Sequence, residues 1–334
     1  MVNAKILAHW YVTTRCNSRC KTCAIWSDAR HACPESSLES RVKLVHQLKV
    51  LGFMSIDFTG GEPLLYPGLP TLLRAAREAG IMTWLTTNGL LYQKQAEDLR
   101  GLVSALSFSL DSPRGTVHNA IRGVKCFDAA IAGIKLATSL GEQPMIKATV
   151  CKENVADLEA FAGLAAKLGA LIEFNAEFAY FGNPPLDDTG IAAIKKVARH
   201  PNVIISRPHL QFMLDGGNDP RRPRCPIGKN VIAIAPDNGI YDPCMHLALN
   251  RVPLVNGDLA ATLEAMRASG SFEKAGRYSF CSGCTIPCYM EPSYYATVDK
   301  YFLPCYAGRL EYLAKRARLA VKNSTTRCTG KGTP

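Results

Sequence analysis

Three cysteines near the N-terminus constrain this chain more than any other feature of its sequence. Cys16, Cys20 and Cys23 follow the spacing C-x3-C-x2-C. Cysteine thiolates hold iron–sulfur clusters, and a cubane [4Fe-4S] cluster ordinarily takes four of them. A local set of three therefore predicts a cluster in which one iron has no protein thiolate. We expect this open iron to be the centre of the chemistry.

Length and composition indicate an ordinary globular protein. The chain has 334 residues, of which 47% are apolar and 20% charged, enough for one large α/β domain and a small second one. It contains no apolar run of about 18 residues, which a membrane-spanning helix would need. Residues 1–15 lack the basic and then apolar pattern of a signal peptide. We expect a soluble, cytoplasmic protein without a transmembrane segment.

The thirteen cysteines and the net charge of +11 restrict the partners. In a chain without a secretion signal, clustered cysteines indicate metal ligands rather than disulfides. The scattered Cys33, Cys126 and Cys151 are interpreted as buried thiols. A basic protein favours an anionic substrate or surface. No basic block with interleaved aromatic residues is present, so we expect no nucleic-acid partner.

Residues 9 to 178 alternate between strand and helix patterns. Strands are predicted at 9–14, 54–59, 81–86, 103–110, 145–150 and 170–178, and helices at 37–51, 69–79, 93–102, 127–140 and 155–168. Such alternation predicts an α/β fold with a parallel sheet. Six units are fewer than the eight of a closed barrel, so we expect an open, partial (βα)6 TIM-like barrel. Ligands of such sheets bind at the carboxyl ends of the strands.

The chain changes character after about residue 182. A helix at 189–199 and strands at 202–206 and 231–235 are predicted in a segment rich in Gly, Pro and Cys. We predict a barrel over 1–205 and a cysteine-rich domain over 206–305, held together partly by bound metal. Residues 306–334 are predicted as a basic helix over 306–322 and a loose tail.

Four sets of residues at predicted strand ends resemble the radical SAM (S-adenosylmethionine) superfamily over residues 8–180. Besides the three cysteines they are the GGEP turn with Gly60, Gly61 and Glu62, the TNG turn with Asn88, and the pair Ser109 and Asp111.

The resemblance implies how these motifs act. SAM would chelate the open iron, and the reduced cluster would cleave it to a 5′-deoxyadenosyl radical that abstracts hydrogen from a substrate. Glycines permit a close approach of the backbone to SAM, and the Glu62 carboxylate suits the SAM ammonium. Ser109 and Asp111 match positions that contact the ribose or methionine carboxylate, with a turn role as the alternative. The resemblance also implies an external electron donor such as flavodoxin or ferredoxin.

Two further features concern the barrel interior. Thr22, before the third cysteine, replaces a residue that is often aromatic in the family, so adenine stacking should be weaker. Polar residues alternate with apolar ones on the fifth and sixth strands, and we expect one polar face to line a cavity. The cavity candidates are Lys147, Glu173, Asn175 and Glu177.

A second cysteine group resembles SPASM and twitch domains, which carry auxiliary [4Fe-4S] clusters. It comprises Cys225, Cys244, Cys281, Cys284, Cys288 and Cys305. A twitch-like arrangement would place the first four around one cluster. The competing arrangement places the last four around one cluster and leaves Cys225 and Cys244 on an incomplete one. A structural zinc site is the alternative to both.

Three classes of function remain open. The first is oxidation of a small-molecule, cofactor or tetrapyrrole-like substrate, either anionic or flat and apolar, with an auxiliary cluster assisting electron transfer. The second is maturation of a ribosomal peptide, which we rank lower because the motif begins at residue 16 and leaves no room for an N-terminal recognition domain. The third is a non-catalytic sensor or scaffold. The aromatic segment 289–295 either covers a flat substrate or forms the core of the small domain.

Overall fold

One mixed sheet organises the molecule. The computed structural model describes residues 5–179, 182–246 and 250–328. Its strands are β1 (Leu7–Thr13), β2 (Ser55–Gly60), β3 (Met82–Thr87), β4 (Ala105–Ser109), β5 (Met145–Val150), β6 (Leu171–Ala176), β7 (Val203–Ile204), β8 (Val231–Ile234), β9 (Ile240–Asp242) and β10 (Asn250–Val252). Their order is β10-β9-β8-β1-β2-β3-β4-β5-β6-β7. The predicted open parallel sheet of six successive strands is confirmed.

Helices cover one face of this sheet and continue into the C-terminal part. They are α1 (Leu38–Val50), α2 (Leu69–Glu78), α3 (Tyr92–Leu99), α4 (Gly115–Arg122), α5 (Phe127–Ser139), α6 (Leu158–Lys167), α7 (Asp188–Val197), α8 (Arg207–Leu214), α9 (Leu259–Ala268), α10 (Pro287–Ala296) and α11 (Phe302–Cys328). None of the helices in the described ranges combines the length and apolar composition that a bilayer crossing requires.

Strand alternation separates a closed outer face from a polar inner face. Trp10, Phe58 and Ile146 point toward the helices and are 0% exposed. Fully burying a side chain of this size stabilises the fold by about 1.5–3 kcal/mol. Because neighbouring side chains on a strand point to opposite faces, the residues between them face inward. The helices thus leave the inner face free for a site.

The C-terminal part joins the same sheet. Strand β8 lies parallel to β1, with Leu7 opposite Val231, and β9 and β10 extend that edge in antiparallel fashion. The local sequence pattern of residues 231–235 predicts a strand, but it does not predict that this strand pairs with β1. The domain division at residue 205 stays a prediction.

The aromatic segment and the tail show where local patterns mislead. Residues 289–295 lie in α10, and Tyr289, Met290 and Tyr294 are buried, which favours the core interpretation. A loose tail from 323 was predicted, which is wrong for 323–328 because α11 continues to Cys328. No Gly or Pro interrupts the chain between 309 and 328, so nothing local ends the helix earlier. Residues 329–334 lie outside the described part of the chain.

Candidate active site and cysteine cavity

The cysteine loop after β1 is fastened to the turn after β3. The Asn88 side-chain amide donates to Asn17 Oδ1 at 2.7 Å and to Ser18 Oγ at 2.9 Å. Ser18 is 1% exposed and Asn88 5% exposed, so the bond to Ser18 is shielded from water, whereas the bond to the half-buried Asn17 is partly exposed. Asn88 therefore has a definite role in positioning the loop that carries Cys16 and Cys20.

The GGEP glycines contact the protein's own backbone. A Cβ on Gly60 would lie 2.1 Å from the Thr13 carbonyl oxygen, and one on Gly61 would lie 2.1 Å from the Arg15 carbonyl oxygen. The Gly61 amide donates to Thr13 O at 2.8 Å. In this structure the two glycines are required by close packing against the strand end that leads into Cys16.

Glu62 is held by its own surroundings. Its carboxylate accepts hydrogen bonds from Thr87 Oγ1 at 2.8 Å, the Asn88 amide at 2.8 Å and the Leu64 amide at 3.2 Å. Burial raises the pKa of Glu62, and these three donors oppose that shift. A carboxylate offers about four acceptor positions, so one position is left for another donor.

Asp111 reaches the cysteine loop through an arginine. Its carboxylate lies 2.6 Å from Arg122 Nε, and its Oδ1 accepts the Thr149 amide at 3.0 Å. Arg122 Nη1 lies 3.8 Å from Cys20 Sγ. Burial lowers the pKa of Arg122, but the neighbouring Asp111 and Cys20 outweigh burial and raise it. Asp111 is thus a positioning residue for a cation beside the loop.

The loop also docks on the end of α4. The amides of Arg19 and Lys21 donate to the carbonyls of Arg122 and Ile121, both at 2.9 Å. Gly123 follows with φ +68°, and a Cβ there would lie 2.2 Å from the Arg19 carbonyl oxygen. Only glycine combines this left-handed conformation with so close an approach.

Each thiol of the loop faces a hydrogen-bond donor. The Ser18 amide lies 3.4 Å from Cys16 Sγ, the Ile25 amide donates to Cys23, and Arg122 approaches Cys20. Burial raises the pKa of Cys23 to about 11, and the other two thiols also raise it. Hydrogen bonds to the sulfurs stabilise metal-bound thiolates and tune clusters. Three adjacent thiols with three donors fit a three-cysteine cluster.

The predicted inner-face residues occupy neighbouring strands. Ser109, Lys147 and Glu173 are register partners across β4, β5 and β6, and Lys147 Nζ lies 3.9 Å from Glu173 Oε2. Asn175 hydrogen-bonds Glu173 and lowers its pKa against a larger rise from burial. Glu177 lies past the strand, where burial and Glu153 raise its pKa. The structure brings all but Glu177 together.

Four C-terminal cysteines line one cavity of about 550 Å³. They are Cys225, Cys244, Cys281 and Cys284. Burial, more than any neighbour, raises the pKa of Cys284 to about 11, while the Ile286 amide opposes the shift. The Ile227 amide likewise donates to Cys225, whose pKa burial and the other three thiols raise. This is the grouping of the twitch-like arrangement.

Cys288 and Cys305 lie apart from that cavity. The Cys288 residue keeps an exposed surface, but its thiol is enclosed among the groups of the inner face, so desolvation and the neighbouring Asp57 raise its pKa to about 12. Cys305 is buried in an aromatic cluster with Tyr294 and Tyr301. The competing arrangement needs both residues beside Cys281 and Cys284. Neither lines the cavity, although Cys225 and Cys284 also pack against the cluster that contains Cys305. Within the described ranges, no three His, Cys, Asp or Glu side chains are grouped as for a single metal ion.

A sequence profile of the radical SAM superfamily matches residues 10–165. Residues 10–165, a little under half of the chain, are thus similar to the radical SAM superfamily. The matched range contains all three loop cysteines, the GGEP turn and Asp111.

Curated relatives cover the radical SAM part. Fe-coproporphyrin III synthase of Methanosarcina barkeri is 34% identical over 158 residues, 46% of this chain and 39% of that protein. AdoMet-dependent heme synthase of the same organism is 30% identical over 174 residues, 51% of this chain and 50% of the relative. GTP 3′,8-cyclase of Thermodesulfovibrio yellowstonii is 34% identical over 171 residues, 49% and 53% of the two chains. The chain spans about half the length of the curated relatives it matches.

Solved radical SAM structures share the fold. Streptococcus suis SuiB bound to S-adenosylmethionine has a TM-score of 0.63 at 19% identity, covering 83% of this chain and 68% of SuiB. The enzyme anSMEcpe with bound AdoMet also has a TM-score of 0.63, at 16% identity, covering 95% of this chain and 99% of its own. At this identity the likeness establishes the architecture only.

Several residues at the site were not predicted. Asn17, Ser18, Thr87, Arg122 and His9 each contact a predicted residue, His9 through the Cys288 carbonyl, whereas Asp57 and Glu291 act on Lys147 by charge. The sequence does mark Arg122 as the end of a helix, since a basic residue followed by glycine is common at helix C-termini. The other contacts need the folded chain.

Proposed function

We propose that this chain is a radical SAM oxidoreductase acting on a small molecule, with a cofactor or tetrapyrrole-like compound as the leading class. The observation that carries the proposal is the three-cysteine loop, in which each thiol has its own donor and Asn88 and Arg122 fix the backbone. Cys16, Cys20 and Cys23 would hold a [4Fe-4S] cluster there, which would supply one electron for the reductive cleavage of SAM.

The chain's own residues would orient SAM and substrate. The Glu62 carboxylate, buried and with one acceptor position left, is proposed to take the SAM ammonium. Ser109 is proposed to face the ribose from the inner face, while Asp111 acts through Arg122. The substrate is proposed to lie above Lys147 and Glu173, within reach of a radical formed beside the loop.

An auxiliary [4Fe-4S] cluster is proposed for the C-terminal cavity. Its ligands would be Cys225, Cys244, Cys281 and Cys284, because these four line one cavity and Cys288 and Cys305 do not. Amides two residues after Cys225 and Cys284 donate to their sulfurs, as Ser18 does to Cys16. An external electron donor such as flavodoxin or ferredoxin completes the proposed redox chain.

The small-molecule class is preferred over peptide maturation. The curated sequence relatives named above are a coproporphyrin synthase, a heme synthase and a GTP cyclase. SuiB bound to its precursor peptide SuiA shares the fold at 18% identity, which supports peptide chemistry less directly. Peptide maturation is retained as the second candidate.

The test is production of 5′-deoxyadenosine. Anaerobically reconstituted protein with SAM and dithionite should release it, as followed by liquid chromatography and mass spectrometry. Cys20→Ala should abolish release, whereas Cys33→Ala, a cysteine outside both groups, should retain it. Release by the Cys20→Ala variant at the native rate would overturn the proposal.

A further inference from the structure

The inner face of the sheet is accessible although its outer face is closed. On β5, Ile146 is 0% and Ala148 1% exposed, while the Lys147 side chain between them keeps 39% of its surface exposed. Its register partner Glu173 on β6 keeps 18%. Alternate side chains on the same two strands are therefore accessible from the inner face, and the inner face around Lys147, Glu173, Asp57 and Glu291 is called the chamber.

The chamber has more carboxylates than cations. Asp57 faces it from β2, Glu173 from β6 and Glu291 from α10, and the charge of each acts on Lys147. Burial lowers the pKa of Lys147, but these carboxylates outweigh burial and raise it. Two histidines lie nearby: His9 Nδ1 is 3.0 Å from Asp57 Oδ2, and His209 acts by charge on Glu173.

One carboxylate oxygen in the chamber has no donor. Glu291 Oε1 is buried and, among the described residues, accepts no hydrogen bond. Lys147 does not donate a hydrogen bond to Glu173 Oε2, because the distance of 3.9 Å from its Nζ exceeds hydrogen-bond length. A buried acceptor without a donor is costly. Lys147 thus acts on Glu173 and Glu291 by charge, and Ser206 hydrogen-bonds Glu291, but Glu291 Oε1 is left for a further donor.

We propose that this chamber binds its substrate through a protonated amine, which donates to Glu291 and Glu173. This inference rests on the proposed function, because it names the substrate class of the same site. Burial raises the pKa of both carboxyl groups, and Glu291 further raises that of Glu173. A bound ammonium relieves the repulsion between them.

The inner face also supplies an apolar surface beside the carboxylates. Trp84 on β3 is the register partner of Asp57, and it packs against the buried cluster that contains Tyr11. Lining by an aromatic side chain with a few placed charges is typical of small-molecule sites. The protein is basic overall, but an anionic substrate group would meet three carboxylates here.

The test compares two probes of equal size. Benzylamine is cationic at neutral pH and benzyl alcohol is not, and binding of each to reconstituted protein is measured by equilibrium dialysis. Benzylamine should bind at least about tenfold more tightly, the effect expected of one charged hydrogen bond. Glu291→Gln should remove most of this preference, while Glu264→Gln, exposed on α9, should leave it unchanged.

Equal affinity for the two probes, no binding of either, or a preference that survives Glu291→Gln would overturn the inference. Release of 5′-deoxyadenosine is measured on the same preparations. If release occurs without amine preference, the proposed function stands and the substrate class is wrong. If preference occurs without release, the amine site stands and the radical function is wrong.

Discussion

Asn88 donates its side-chain amide to Asn17 Oδ1 at 2.7 Å, which joins the turn after β3 to the cysteine loop after β1. The Asn88 backbone amide in turn donates to Glu62 of the GGEP turn at 2.8 Å. Three motifs from three strand ends thus form one hydrogen-bonded unit. The position of the thiols depends on contacts outside the loop itself.

Asn88→Ala should loosen the cysteine loop. It removes two side-chain hydrogen bonds, each contributing about 1 kcal/mol, and leaves the buried Ser18 Oγ without the Asn88 donor. We expect a free energy of unfolding lower by about 2 kcal/mol, less iron retained after reconstitution and slower 5′-deoxyadenosine release. Urea unfolding and iron analysis measure this. Asn250→Ala, at an exposed position, is the control; native iron retention in Asn88→Ala would contradict the role.

Gly61→Ala should destabilise the strand end before Cys16. The added Cβ would lie 2.1 Å from the Arg15 carbonyl oxygen, so the backbone must shift at a cost of about 1–3 kcal/mol. Thermal unfolding should show a lower midpoint. Gly308→Ala is the matched control, because a Cβ there meets nothing within 4 Å and alanine should stabilise α11 by up to about 1 kcal/mol. Equal midpoints for both variants would refute the packing argument.

Arg122→Met should lower the free energy of unfolding more than the double variant Asp111→Asn/Arg122→Met, which removes both partners of the ion pair. The single variant leaves the Asp111 carboxylate, whose side chain is 2% exposed, without its partner, at a cost of about 3 kcal/mol. The double variant Asp111→Asn/Arg122→Met should recover part of that loss. Urea unfolding of the native protein, the two single variants and the double variant gives the coupling free energy. Additive effects would show that the two residues do not interact.

These contacts mark the limit of prediction from sequence. The strand ends and their motifs were predictable because alternating patterns place GGEP, TNG and Asp111 after strands of one parallel sheet. The Arg122 ion pair was not, since α4 falls in a stretch of 16 residues, 111 to 126, without clear periodicity. The partners of a side chain depend on tertiary packing, which local propensity does not encode.

The C-terminal cysteines illustrate the same limit. Spacing left two arrangements open, and the fold favours the twitch-like one because Cys288, on α10, does not line the cavity of the other four cysteines. That helix was not predicted, since Pro292 inside it argues locally against a helix. The glycines of GGEP were correctly singled out, but their contact with Thr13 and Arg15 could be known only from the fold.

Protonation of His118 should make stability depend on pH. Its Nδ1 accepts the Asp111 amide at 3.1 Å, and burial, aided by Arg122, lowers its pKa to about 4 from 6.5. The unfolded chain therefore takes up the proton first as pH falls. Stability is complete above about pH 6.5 and falls by about 1.4 kcal/mol per pH unit below it.

Urea unfolding at pH 7.5 and 5.5 measures this effect. His118→Asn should show a smaller loss between the two values than the native protein, and His46→Asn, exposed on α1, should show the native loss. The same pH dependence in His118→Asn and the native protein would assign the effect to other groups.

Single substitutions of the C-terminal cysteines should distinguish the proposed cluster ligands from the cysteines outside the cavity. Cys281→Ala and Cys284→Ala should lose about half of the bound iron, as expected for one of two [4Fe-4S] clusters, and retain 5′-deoxyadenosine release without product formation. Cys288→Ala should keep the native iron content, because its thiol lies outside the cavity. Iron loss in Cys288→Ala equal to that in Cys281→Ala would favour the competing arrangement.

The central claim is that Cys16, Cys20 and Cys23 hold a cluster with one iron open to SAM. The Cys281→Ala/Cys284→Ala variant should retain that cluster alone, so its reduced form can be studied by electron paramagnetic resonance with and without SAM. The account predicts that SAM shifts the g values of the reduced cluster. An unchanged spectrum at saturating SAM would contradict it.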